Sequence, residues 1–364
     1  MNMRQEHARL RRRSRPVAWL LWIAALAPGL TTAGCGIGPP LLSRDRLDYQ
    51  VSLSESWKRQ MLMNIIKTRY ADAPVFLDVT SIINQNSLGG YLGASALLSG
   101  PTWSYAQDYG GSVSGYDRPT ITYSPLTGAK FAQSLMSPIP PATILSMVQS
   151  GWPIDFVLRL TCESVNGVRN TSRSALNQRA ADPEFEELVA ALRRIQVSDT
   201  IGVRIERKNS VDTAHCFLGR KPTEEVAKDF FRVREILGLD PNAETLRVAY
   251  GAVPSKRDEL AMLSRSMLQI LVELGGCVDV PAEHLAAGRA APASEPIAGP
   301  LFARIHSGPT APADAAAAVP YKGHWFWIDD GDFPSKRTLS ILMMFFSLTE
   351  TGSRDGPVVT VQAG

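Results

Sequence analysis

The chain is short of the residues from which most metal and redox sites are built. Its 364 residues include four cysteines and five histidines, with no Cys-x-x-Cys and no His-x-x-x-His pair. The spacings that mark local zinc sites and thiol redox centres are therefore missing, and no metal or cofactor is expected. A serine nucleophile elbow is missing too. Gly111-Ser112-Val113-Ser114-Gly115 comes near it, but valine holds the position the nucleophile needs. There is no Gly-Lys phosphate loop and no dinucleotide fingerprint. The apolar run from Pro16 to Leu30 has 15 residues, against roughly 20 for a membrane-spanning helix. Charge of one sign is scarce: 38 basic against 35 acidic side chains leave a formal +3. The chain shows no internal repeat. What remains, 45 % hydrophobic and 20 % charged residues, is the balance of a folded globular protein.

The small positive charge is concentrated at the start. Arg4, Arg9, Arg11, Arg12, Arg13 and Arg15 stand against Glu6 alone. An apolar stretch follows, and then Thr32-Ala33-Gly34-Cys35. A basic region, a short apolar region and small residues at a cut site make an export signal. Without residues 1–34 the chain holds 32 bases and 34 acids, a formal −2. Nucleic acid is not an expected partner, because its compositional support leaves with the leader.

Ala33-Gly34-Cys35 resembles the lipobox of bacterial lipoproteins, with Thr32 at the usual leucine position. The resemblance implies cleavage before Cys35 and acylation there, palmitate included, since two or more acyl chains anchor stably. Gly36 stands where an aspartate would retain such a protein at the inner membrane. The resemblance thus implies the outer membrane, periplasmic face. The expected organisation is a signal peptide over 1–34, lipidated Cys35 with a tether over 35–47, and one periplasmic domain over 48–364.

Along the mature chain, Trp57, Met61, Leu62, Ile65 and Ile66 predict a helix over Ser54–Tyr70. Val75–Val79 reads as a strand. Residues 86–128 hold eight glycines and five tyrosines but only three charges, Asp108, Asp117 and Arg118. This predicts a hairpin insertion, with alternating arms near 102–109 and 118–124. Helical turns are expected at Phe131–Leu135 and Pro141–Gln149. Phe156–Cys162 reads as a strand, and Asp182-Pro183 opens a helix. Ile201, Val203 and Ile205 mark a strand. Pro222–Leu237 is a helix stopped by Gly238, and Leu246–Tyr250 a strand. Arg257–Leu274 reads as one long helix ended by Gly275-Gly276. An Ala/Pro-rich connection over Ala286–Pro300 precedes strands at Phe302–His306 and Val319–Ile328. Residues 339–348 form a buried helix, and Val358–Val361 a closing strand. Without a βαβ rhythm, the predicted class is α+β: a mixed sheet with several packed helices and a Gly/Tyr-rich hairpin insertion.

The candidate chemistry is confined to His324 and the acids that follow it, Asp329 and Asp330, in Gly323-His324-Trp325-Phe326-Trp327-Ile328-Asp329-Asp330. A histidine beside carboxylates can exchange protons, which makes an envelope hydrolase one reading. An aromatic strand running into a polar turn is the simpler one. Cys162, Cys216 and Cys277 read as buried thiols, with a single bridge among them as the alternative.

Four blocks, Asp45–Tyr49, Arg69–Val79, Gln149–Pro153 and Gly323–Asp330, resemble an uncharacterised family of proteobacterial envelope proteins. The resemblance implies envelope residence and transfers no catalytic residue. The expectation is a non-enzymatic lipoprotein that binds or scaffolds an envelope protein partner. A subunit of an oligomeric outer-membrane assembly is the third reading.

Overall fold

The computed structural model describes residues 38–83, 86–99, 104–117, 120–174, 177–198, 201–208, 211–218, 223–243, 245–291, 301–349 and 359–362. The leader, Cys35, Gly36 and most of the Ala/Pro-rich connection lie outside them. Two compact units emerge, Met1–Trp57 and Lys58–Gly364. Among the described residues no helix is long and apolar enough to cross a membrane.

The fold is α+β. Helix α1, Gly38–Arg69, begins well before Ser54, so residues 38–47, expected as tether, have helical backbone. From Met61 on, α1 buries Met61, Leu62, Ile65 and Ile66 completely, as their spacing predicts. Strand β1 (Phe76–Ile83) follows. Its first residues are held by two amide side chains one helical turn apart. Asn64 exchanges two hydrogen bonds with the Val75 backbone, both 2.8 Å, and Gln60 two with Leu77, 3.0 and 2.7 Å. These side chains take the place of a neighbouring strand and satisfy backbone groups that burial would otherwise leave unpaired.

The hairpin differs from its expected position. Its arms are β2 (Asn86–Ser99) and β3 (Ser104–Asp117), paired antiparallel through fourteen consecutive positions. The expected second arm over 118–124 is not formed by its described residues, 120–124. Strand β4 (Thr120–Leu126) pairs instead with β1. In β2 the alternating apolar members are mostly Leu, Ala and Gly, not the β-branched types that signal a strand, so the first arm is weakly marked.

Helices α2 (Ala129–Met136) and α3 (Pro141–Gln149) match their expected places. Phe156–Cys162 does not. It belongs to α4, Ile154–Thr161, with only Cys162–Val165 extended as β5. Here Asp155 and Arg159, one turn apart, are the two side chains of the helix that are not buried. Their spacing of four outranks the alternation of Phe156, Leu158 and Leu160. After β6 (Val168–Arg169) comes α5, Pro183–Val197, with Asp182 before its first-turn proline. Phe185, Leu188, Val189 and Ile195 form its buried stripe.

Strands β7 (Ile201–Lys208) and β8 (Val211–Leu218) pair with each other. Helix α6, Glu224–Leu237, is capped by the Thr223 side chain and stopped by Gly238 in the left-handed region. Beyond β9 (Thr245–Tyr250) the expected long helix divides into β10 (Glu259–Ser264) and α7 (Met267–Gly275). The cause is at Ser266 and Gln269, which form a reciprocal capping box. Such a box starts a helix and ends what precedes it. Strands β6-β5-β10-β9-β8-β7 make a six-stranded mixed sheet, in which β9 and β10 run parallel.

The remaining elements are α8 (Ala282–Ala286), β11 (His306–Gly308), β12 (Ala315–Tyr321), β13 (His324–Asp329), α9 (Phe333–Thr349) and β14 (Val359–Gln362). The expected strand at Val319–Ile328 is two strands. Lys322 and Gly323 turn between them, with φ of 48° and 89°, the conformation a tight two-residue hairpin requires. Phe302–His306 is a strand only at its last residue. Within α9, Phe346 stacks on Phe76 with 4.3 Å between ring centres. Strand β14 joins β4 and closes the three-stranded sheet β1-β4-β14.

Candidate functional site

Three elements converge on Tyr70, the residue after α1. Helix α8 contributes Glu283 and His284, and the β12–β13 turn contributes Tyr321, Lys322 and His324. The Tyr70 hydroxyl and His284 Nδ1 are 2.7 Å apart in buried surroundings. The Tyr70 ring meets those of His284, Tyr321 and Phe326 edge-on, at 5.6, 5.4 and 6.1 Å. The Lys322 ammonium sits 5.1 Å from the Tyr70 ring centre. It also pairs with Asp72 at 3.0 Å, and the Tyr321 hydroxyl donates a short hydrogen bond to the same carboxylate. Together these donors hold the Asp72 carboxyl below its usual range. Burial pushes the Tyr70 hydroxyl up to about 12, which keeps it a neutral donor.

His284 is 2 % exposed. Burial, and secondarily the charge on His324, lower its pKa, favouring the neutral ring. His324 is half-buried. Its ring lies edge-on to His284 at 4.9 Å, and its Nε2 is 3.3 Å from the Glu283 carboxylate. One ligand atom each from Glu283, His284 and His324 falls within 4.8 Å of the others. Two imidazoles and a carboxylate are donors that zinc accepts. The His284 ring, however, already meets the Tyr70 hydroxyl and the Lys322 backbone. Coordination through it would break one of these bonds. Forty residues separate His284 from His324, so no local spacing could have announced the cluster.

The sequence candidates are not brought together as expected. His324 and Asp329 occupy opposite ends of β13, a separation of about 17 Å along an extended strand. Asp329 instead pairs with His306 at 3.2 Å and accepts from the Trp327 indole at 2.9 Å. Asp330 is held by Lys336 at 2.7 Å, and this cation lowers its pKa. The acid beside His324 is Glu283, which the motif search did not single out. The hydrolase arrangement of His324 with Asp329 and Asp330 is therefore not formed. Cys162 and Cys277 are free thiols. Cys162 is fully buried, and burial pushes its thiol up to about 12; such a thiol is inert. The Cys216 side chain lies outside the described residues.

Behind Tyr70 opens a cleft of about 580 Å³. Arg69, Ala71 and Pro74 line one side, and Leu268, Val272 and Arg289 another. Close packing shapes it. A side chain on Gly275 would meet Thr68 Oγ1 at 2.8 Å, and one on Gly276 the Arg173 carbonyl at 2.0 Å. The glycine pair that ends α7 thus also lets that helix end approach α1 and the 170–174 loop. At the cleft, Ala71 adopts a left-handed φ of 56°, a conformation uncommon outside glycine.

Comparison with known protein families, characterised proteins and solved structures finds no match for the chain.

Proposed function

We propose that the protein is an outer-membrane-anchored lipoprotein, held at the periplasmic face by acylated Cys35, that acts without catalysis as a subunit of an oligomeric envelope assembly. The observation that carries this reading is the hairpin. Strands β2 and β3 form a two-stranded sheet of their own. Among the described residues neither outer edge has a third strand. A lone two-stranded ribbon is marginal in water, and long open edges invite pairing. Neighbouring copies supply that pairing.

The sequence along the ribbon supports a membrane location for it. Each arm has fourteen residues, more than the 9–11 that a tilted outer-membrane strand needs. Positions 88, 90, 92, 94, 96 and 98 are Leu, Gly, Leu, Ala, Ala and Leu. Their partners at 115, 113, 111, 109, 107 and 105 are Gly, Val, Gly, Tyr, Gln and Tyr. Directly paired positions share a face, so this face is apolar except at Gln107. Of the fourteen intervening positions nine are Ser or Gly, and the others are Tyr91, Leu97, Ala106, Asp108 and Tyr116. Apolar positions alternating with small polar ones are the pattern of a barrel stave.

The anchor and the assembly are tested separately. Labelled palmitate enters the wild-type protein and not Cys35→Ala; label that persists in the variant excludes the anchor. Photo-crosslinkers placed in intact cells at positions 93 and 110 trap dimers and higher multiples of the chain. Exclusive recovery of uncrosslinked protomer excludes assembly through the hairpin.

A further inference from the structure

Two arginines of the second unit are buried with opposite provisions. Arg265 is 2 % exposed and donates to the carbonyls of Arg159, Leu160 and Thr171, at 2.8, 3.2 and 2.6 Å. The Glu273 carboxylate stands 3.8 Å away. Arg69 is 8 % exposed and has one such bond, from Nη2 to the Ala291 carbonyl at 3.0 Å. Its Nε is buried without a partner. No described carboxylate forms an ion pair with it, and the neighbouring group that bears on its charge is the neutral Tyr70 hydroxyl. A buried cation is retained at a cost unless something neutralises it.

Arg69 lines the cleft, and Arg289 adds a second cation at its exposed rim. Asp72, the acid that also borders the cleft, is already held by Lys322 and Tyr321. Of the rest of the lining, Leu268, Val272, Ala71, Pro74 and Ala290 are apolar, and Thr68, Tyr70 and Ser174 add hydroxyls. The volume falls in the range of small-molecule sites, which pair apolar walls with a few placed polar groups.

We infer that this cleft binds an amphiphilic anion, with a carboxylate or phosphate head on Arg69 and an apolar body against Leu268 and Val272. A guanidinium donates charge-assisted hydrogen bonds to either head. Arg289 draws the anion in from solvent. The site is independent of the hairpin and does not depend on how the chain assembles.

The test uses the protein as purified from cells in detergent, titrated calorimetrically with octyl phosphate, octanoate, octanol and inorganic phosphate. Octyl phosphate or octanoate binds saturably at one site per chain, inorganic phosphate more weakly, and octanol not measurably. The preferred head, phosphate or carboxylate, separates the two anion classes. Arg69→Met, which keeps the stem and removes the charge, weakens binding at least about tenfold. Arg289→Met, at an exposed position, weakens it about threefold and serves as the readout should Arg69→Met fail to fold. Equal binding of octanol and octyl phosphate, or affinity for the anions unchanged in both variants, overturns the inference.

Discussion

Arg265 and Arg69 are opposites in how the fold treats a buried charge. Around Arg265 three carbonyls and a carboxylate answer the charge. Its guanidinium closes the carbonyl end of α4, and Glu273 accepts from Ser172 Oγ at 2.7 Å and the Arg173 backbone at 2.6 Å. Asn170 completes the cluster by donating to the Arg159 and Cys162 carbonyls, both at 2.7 Å. Around Arg69 the described residues supply one carbonyl. The sheets repeat the contrast. In the six-stranded sheet β5, β8, β9 and β10 each have neighbours on both sides, whereas among the described residues β2 and β3 have only each other. Saturated regions specify the fold, and the places where hydrogen bonds and charges are left over are those to which we assign partners as proposals.

The sharpest way to break this contrast is Arg265→Met. It leaves Glu273 buried without its counter-charge, and denaturant unfolding should show a loss of about 3–5 kcal/mol. A loss below about 1 kcal/mol would mean that the cluster is not the structural element described here. Gly276→Ala comes next. The new methyl would overlap the Arg173 carbonyl, so the loop that satisfies Glu273 must move, at about 1–3 kcal/mol by thermal unfolding.

The Tyr70 side of the molecule should respond to pH through His284. Its pKa is lowered in the fold from an ordinary value of 6.5, so the unfolded chain binds a proton more readily. Stability from this residue is complete above about pH 6.5 and is lost as pH falls below it. The slope is at most about 1.4 kcal/mol per pH unit for one proton. It is measured by unfolding between pH 7.5 and 5, and His284→Gln should flatten it. The smallest effect is expected at Arg69. Without ligand, Arg69→Met should lie within about 1 kcal/mol of wild type, because the one hydrogen bond lost is offset by relief of an unpaired charge.

Legibility in the sequence followed the locality of the signal. Helices α5 and α6 were readable because Asp182-Pro183 and Gly238 punctuate them and their apolar stripes recur every three or four residues. The α+β class followed from the same readings. The long helix predicted over 257–274 failed because Leu260 and Leu263 keep helical spacing with Met267, while the capping box at Ser266 and Gln269 carries the true boundary. For α4, an alternation of large apolar residues masked the Asp155–Arg159 pair. The site was less legible. His324 was found by its aromatic setting, but its companions Glu283, His284 and Tyr70 come from distant segments that tertiary packing brings together. Arg69 looks in the sequence like any basic residue at a helix end, and only burial distinguishes it. The hairpin was recognised by its glycines and tyrosines, yet its arms were misplaced, because a ribbon rich in Leu, Ala, Gly and Ser lacks the β-branched residues that mark strand limits.

The most direct measurement is the mass of the protein as purified from cells in detergent, with and without the hairpin. Light scattering coupled to size-exclusion chromatography should give a defined multiple of the protomer for the wild type. Replacing residues 86–117 by a short Gly-Ser linker should give a folded single protomer. A wild-type protein that remains a single protomer, or an oligomer unchanged by loss of the hairpin, would contradict the account.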